Sequence, residues 1–189
     1  MARLRPTGIK TMDILSKLNK ALKGSPDSGS GTGSRLIHEN ESEIIEAAKG
    51  LLAKSQVGAD LLQFAQSSGI KMHVLKNKQD FGVFPTESTV YISCPAGMRM
   101  PPARAAIHLA GALREAQQDQ LPEFKRPDYR LGRAAYKAQG LARKSDELDV
   151  QVRLVYDLAE VNGLLEIVDE FAAMGYLEVY EAYKAELNG

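Results

Sequence analysis

The chain has 189 residues, of which 44% are apolar and 25% charged, a profile that fits one soluble globular domain with an appendage. No run of roughly eighteen apolar residues is present to cross a bilayer as a helix, and no apolar segment follows the basic start, so neither a membrane span nor a secretory signal is expected. The zero net charge conceals a polarity: residues 1–24 carry six cations against Asp13, whereas residues 145–189 carry Arg153 and Lys184 against eleven carboxylates.

In residues 11–23, Met12, Leu15, Leu18 and Leu22 recur at helical spacing, with most lysines off that stripe. Thirteen residues make a marginal isolated helix, so its apolar face needs a support. Three readings stay open: docking on its own domain, a frayed tail, or a peptide in which residues 3–23 engage a partner or an anionic membrane surface. The segment has no aromatic side chain for base stacking, which argues against specific nucleic-acid binding. Residues 24–35 are rich in Gly and Ser and read as a flexible linker. A single α+β domain is therefore expected over residues 36–189.

Ser42 can cap a helix that runs to about Lys54, with Glu43 and Glu46 in its first turn. A second helix is predicted from Gly58 to Ser67 and ends at Gly69. The period then changes to two: Ile70, Met72 and Val74 alternate with Lys71 and His73. Short strands are predicted at Phe81–Phe84 and Thr89–Ser93, around a turn at Pro85–Ser88. The connections are too short for crossovers, so the expectation is a small antiparallel meander. Cys94 follows it. A lone cysteine cannot close an internal disulfide, which suits a reducing, cytoplasmic location, and no histidine lies nearby in sequence to activate the thiol. His38 and His73 read as solvated or hydrogen-bonded side chains.

Pro101-Pro102 opens a long helix over about 102–119, where proline is tolerated. Its apolar stripe is Ala106, Leu109, Ala110 and Leu113, which places His108 and Glu115 on the opposite, polar face. After a loop at 121–128, helices are predicted near 129–142, 146–161, 163–174 and 176–187. Asp146, Glu147 and Asp149 then crowd a helix start, where the dipole favours carboxylates. Tyr176, Tyr180 and Tyr183 recur at helical spacing and read either as a stripe packed on the domain or as a protein-binding surface.

Two helices, a small sheet ending in Val90-Tyr91-Ile92-Ser93, and a long helix form an order similar to that of zincins. The chain more specifically resembles a bacterial family of zincin-like metallopeptidases, whose corresponding helix reads approximately L-A-H-E-L-R-H-A-x-Q. Here the window is Leu109-Ala110-Gly111-Ala112-Leu113-Arg114-Glu115-Ala116-Gln117-Gln118. Its framework residues fit and its chemical residues do not. Gly111 and Glu115 replace the two histidines, and Ala112 replaces the general base. The resemblance also implies that Glu147, in Glu147-Leu148-Asp149, stands where a third ligand is expected.

A catalytic zinc needs about three protein ligands and an open position. Glycine supplies no ligand, alanine supplies no base, and two carboxylates suit weak Mg²⁺ or Ca²⁺ binding better than zinc. The expectation is a catalytically inactive, cofactor-free zincin-like domain that binds another protein. The alternative is a metal-dependent hydrolase whose zinc ligands come from His108, Glu115, Glu147 and Asp149. Two helical turns, about 10 Å of rise, separate His108 from Glu115 and count against a shared ion.

Overall fold

The structure, a computed structural model, describes residues 41–77, 82–86, 88–95, 98–124 and 128–188. The basic segment at 1–23, the linker at 24–35, the boundary at residue 36 and His38 lie outside the described residues. The fold is α+β. In chain order it runs α1 (Glu41–Leu52), α2 (Gln56–Ser67), β1 (Lys71–Asn77), β2 (Gly82–Pro85), β3 (Thr89–Pro95), α3 (Pro102–Gln118), a 3₁₀ turn (Tyr129–Leu131), α4 (Arg133–Tyr156), a π turn (Asp157–Val161), α5 (Glu166–Ala173) and α6 (Leu177–Asn188). No helix among the described residues is long and apolar enough to cross a membrane.

α2 begins two residues before the predicted start because Ser55 caps it. The Ser55 hydroxyl accepts from the Gly58 amide at 3.4 Å and donates to Asp157 at 2.8 Å, tying the α1–α2 corner to the π turn. Gly69 leaves α2 at a φ of 65°, as a helix-ending glycine does.

The sheet is mixed rather than antiparallel. Its strand order is β1-β3-β2, with β1 parallel and β2 antiparallel to β3. The meander expectation assumed that neighbours in sequence pair. Instead β3 enters between the first two strands, and β2 supplies the return that a parallel pair needs. Two strand widths are about 10 Å, within reach of the few residues joining Asn77 to Gly82. Val90, Ile92 and Cys94, spaced by two on β3, are buried in the core. His73 lies opposite Tyr91 in register, and their rings stack at 5.8 Å.

α3 is the hub. It packs against α1, α2, α4, α5, β2 and β3. Residues Ala105 to Leu113 are all buried, so the helix has no solvent face in its middle turns. The second half departs from expectation in two respects: Tyr129–Leu131 is a separate 3₁₀ turn closed by Gly132 at a φ of 86°, and α4 is continuous for 24 residues, with no break between 142 and 146. Nothing between Ala142 and Asp146 is a helix breaker; Arg143, Lys144 and Ser145 all propagate a helix. The tyrosine stripe packs on the domain. Tyr180 is buried and donates its hydroxyl to Glu160 at 2.6 Å, and Tyr183 meets Tyr156 edge to face at 5.5 Å.

Where α1 hands over to α2, a Cβ on Gly58 would fall 2.2 Å from the Leu52 carbonyl oxygen and 2.8 Å from its Cα. Backbone cannot swing aside as a side chain does. Gly58→Ala is expected to cost about 3 kcal/mol despite alanine's better helix propensity, read by urea unfolding. A neutral outcome would mean the corner is looser than described.

Candidate functional site

The site lies where α3 crosses α4. On α4, Arg143, Glu147 and Gln151 recur every four residues and are all buried. Facing them on α3 are Gly111, Glu115 and Gln118. α3 packs on α1 and the sheet, and α4 lies over its Gly111 side, while Glu115 keeps partial exposure at the cleft.

Gly111 makes the close approach possible. A Cβ built on it would lie 2.5 Å from the Gln151 amide nitrogen and 2.8 Å from a Glu147 carboxylate oxygen. The space where a larger side chain would point is thus taken by α4 side chains. Gln151 donates to the Ile107 carbonyl at 3.1 Å, and Lys144 donates to Glu147 at 2.6 Å. Ala112 has no exposed surface and belongs to the hydrophobic core.

Above this point the seam is held by a polar network. Arg114 grips Asp146 through two nitrogens, at 2.6 and 2.8 Å. Gln118 donates to Asp146 at 2.7 Å and to the Arg143 carbonyl at 2.9 Å. Arg143 donates to the Phe124 and Glu115 carbonyls and forms an ion pair with Asp119 at 2.8 Å. Beside the network opens a cleft of about 370 Å³, lined by Glu115, Gln118, Tyr136, Gly140, Arg143, Lys144 and Glu147.

The electrostatics follow from burial. Desolvation lifts the Glu147 carboxyl above the usual carboxylate range, opposed mainly by Lys144, while nearby Glu115 adds to the rise. Burial works against the Lys144 ammonium as well, but the Glu147 pair and the field of Glu115 outweigh it and hold its pKa up. Burial raises Asp149 too, against its 2.9 Å ion pair with Arg153.

Four expectations need correction or placement. His108 is not on a solvated face: it retains 9% exposure. Burial, with the charge of Arg104 second, lowers its pKa to about 4. Asp146, Glu147 and Asp149 sit mid-helix rather than at a helix start, so side-chain cations, not the dipole, neutralise them. Of His108, Glu115, Glu147 and Asp149, only Glu115 and Glu147 share the cleft. Among the described residues no three His, Cys, Asp or Glu side chains come together to hold a metal ion. Cys94 is buried, its thiol directed at the Met98 carbonyl at 3.3 Å.

The structure does bring two of the three motif positions, Gly111 and Glu115, next to Glu147, 32 residues beyond Glu115. Lys144, Gln151, Gln118, Arg143 and Tyr136 were missed by sequence reasoning. The signal available was the four-residue spacing of Arg143, Glu147 and Gln151, polar residues on a face that also carries Val150 and Leu154. No family model, curated protein or solved structure matches this chain.

Two measurements test this geometry. Gly111→Ala should gain about 1 kcal/mol from helix propensity alone. Displacing Gln151 and Glu147 should instead turn it into a net loss of about 1 kcal/mol. In a Gln151→Ala background the same change is expected to be neutral or favourable, a coupling of about 1–2 kcal/mol. Strict additivity would separate the two residues. His108 sets an acid limit. Its folded pKa is below its unfolded one, so the unfolded chain binds the extra proton, and stability falls as pH drops from 6.5 towards 4. The contribution is about 3 kcal/mol over that window. Urea unfolding should show a shallower acid loss for His108→Gln, and parallel curves for the two chains would refute the assignment.

Proposed function

We propose that this domain is a non-catalytic protein-binding module on a zincin-like frame. One observation carries the reading: the α3 face at Gly111, where the resemblance implies a zinc ligand, is occupied by the chain's own Gln151 and Glu147, the latter bound to Lys144. The donor set does not fit zinc. It offers two carboxylates, one of them already paired with an ammonium, and no imidazole. Ala112 adds a second argument. A carboxylate at that position would stand in the core, where desolvation would hold it neutral.

Such a domain acts by contact rather than turnover. Half-exposed Tyr136 lines the cleft on α4, and tyrosine contributes large contact area at low entropic cost. In this reading the basic segment 3–23 adds a second, electrostatic contact with the partner.

Metal analysis tests the proposal. Protein purified without a histidine tag or chelator is expected to carry far less than one zinc per chain. Stoichiometric zinc that is lost in Glu147→Ala would instead mark a metal-dependent hydrolase with an unusual ligand set. A graft tests the frame itself. Gly111→His and Glu115→His, with Gln151→Ala and Lys144→Ala to clear space and charge, place two imidazoles on one helical face opposite Glu147. This variant should acquire zinc affinity at the micromolar level or better by competition with a chromophoric chelator. A folded variant with no gain would sink the zincin-like frame.

A further inference from the structure

We propose that the α3–α4 cleft is a receptor for an arginine side chain presented by a partner protein. This deepens the binding-module reading and rests on it.

The cations are spent. Arg143 is held by Asp119 and two backbone carbonyls, and Lys144 is held by Glu147 at 2.6 Å. The Gln118 amide nitrogen donates to both Asp146 and the Arg143 carbonyl, which fixes the orientation of the amide. What remains is acceptor chemistry. The Glu115 carboxylate forms no hydrogen bond or ion pair among the described residues. Gln118 is fully buried at the cleft floor, and its Oε1 accepts from no donor among the described residues. A buried acceptor left without a donor is unfavourable, and an N–H brought to this end of the cleft would relieve that deficit.

The α4 wall completes the shape. Tyr136, Gly140, Arg143, Lys144 and Glu147 follow one helical face, and Gly140 puts no side chain below the Tyr136 ring. The cleft, about 370 Å³, is at the small end of ligand sites, the size of one long side chain rather than a nucleotide or lipid headgroup with its tail. An unpaired carboxylate, an unsatisfied amide oxygen at the buried end of the cleft and an exposed aromatic face call for a cation with several donors in one plane. Guanidinium meets all three demands; an ammonium is more strongly hydrated and lacks the fork. Lys144 opposes it only in part: its ammonium is bound to Glu147 at 2.6 Å, and although it feels the field of Glu115 it makes no ion pair with that carboxylate.

The test uses the full chain and three capped tripeptides, glycine-arginine-glycine, glycine-lysine-glycine and glycine-citrulline-glycine, titrated at low salt by NMR chemical shift. The arginine peptide is expected to saturate, shifting the amides of α3 and α4 about the cleft. The citrulline peptide, with the same shape and no charge, should bind at least about tenfold more weakly, with the lysine peptide between them. Glu115→Gln, isosteric and half-exposed, should cost arginine affinity about tenfold, and Tyr136→Ala about three- to fivefold. Glu178→Gln, exposed on α6, should change nothing. Equal binding of arginine and citrulline, or full arginine affinity in folded Glu115→Gln, overturns the receptor. So does the absence of saturation by any peptide at millimolar concentration. With metal-free protein those failures leave the non-catalytic reading standing, whereas stoichiometric zinc removes that reading whatever the peptides do.

Discussion

The close approach of α4 to Gly111 is the constraint on which the rest of the molecule depends. Because position 111 has no side chain, α4 can lay Gln151 and Glu147 directly over the middle of α3. That contact closes over one side of a helix that also packs on the sheet and α1, and so leaves the middle turns of α3 without a solvent face. An internal helix must have every surface matched. The polar seam of Arg114, Gln118, Arg143, Asp146, Glu147 and Gln151 supplies the match on one side, and Ala105, Leu109 and Leu113 are matched by apolar neighbours.

A buried polar seam adds little net stability, because each group gives up water to enter it. Its effect is on geometry. Arg114 with Asp146, Gln118 with the Arg143 carbonyl, and Lys144 with Glu147 are directional contacts, and a one-residue slip of α4 along α3 would leave several of them unmatched. A purely aliphatic seam would tolerate such a slip better. The register of the two helices fixes the width of the cleft beside them, so fold and site are specified by the same contacts.

Much of this was legible in the sequence. Element types came from periodicity, the start of α3 from Pro101-Pro102, and the end of α2 from Gly69. Local rules failed where long-range contacts decided the outcome. The antiparallel pairing of β2 with β3 could be read from the short turn between them, whereas the partner of β1 could not, because long-range packing places β3 between the other two strands. The environment of His108 could not be read from the face it occupies, because a polar face is solvated only if nothing covers it. Glu147 was singled out from the resemblance, but its neighbour Lys144 was not, although a three-residue spacing puts them together on any helix. Reading Asp146 to Asp149 as a helix start concealed that pair.

The sheet order has a consequence for how the chain is made. Both outer strands precede the central one, so β1 and β2 have no partner until residues 89–95 emerge. During vectorial synthesis the first two helices can begin to form locally, whereas the sheet waits for its keystone and then closes in a single event. A nascent chain halted before Thr89 would present two unsatisfied backbone edges, the kind of surface that chaperones bind. The late arrival of one strand thus sets the earliest point at which the sheet edges can be satisfied.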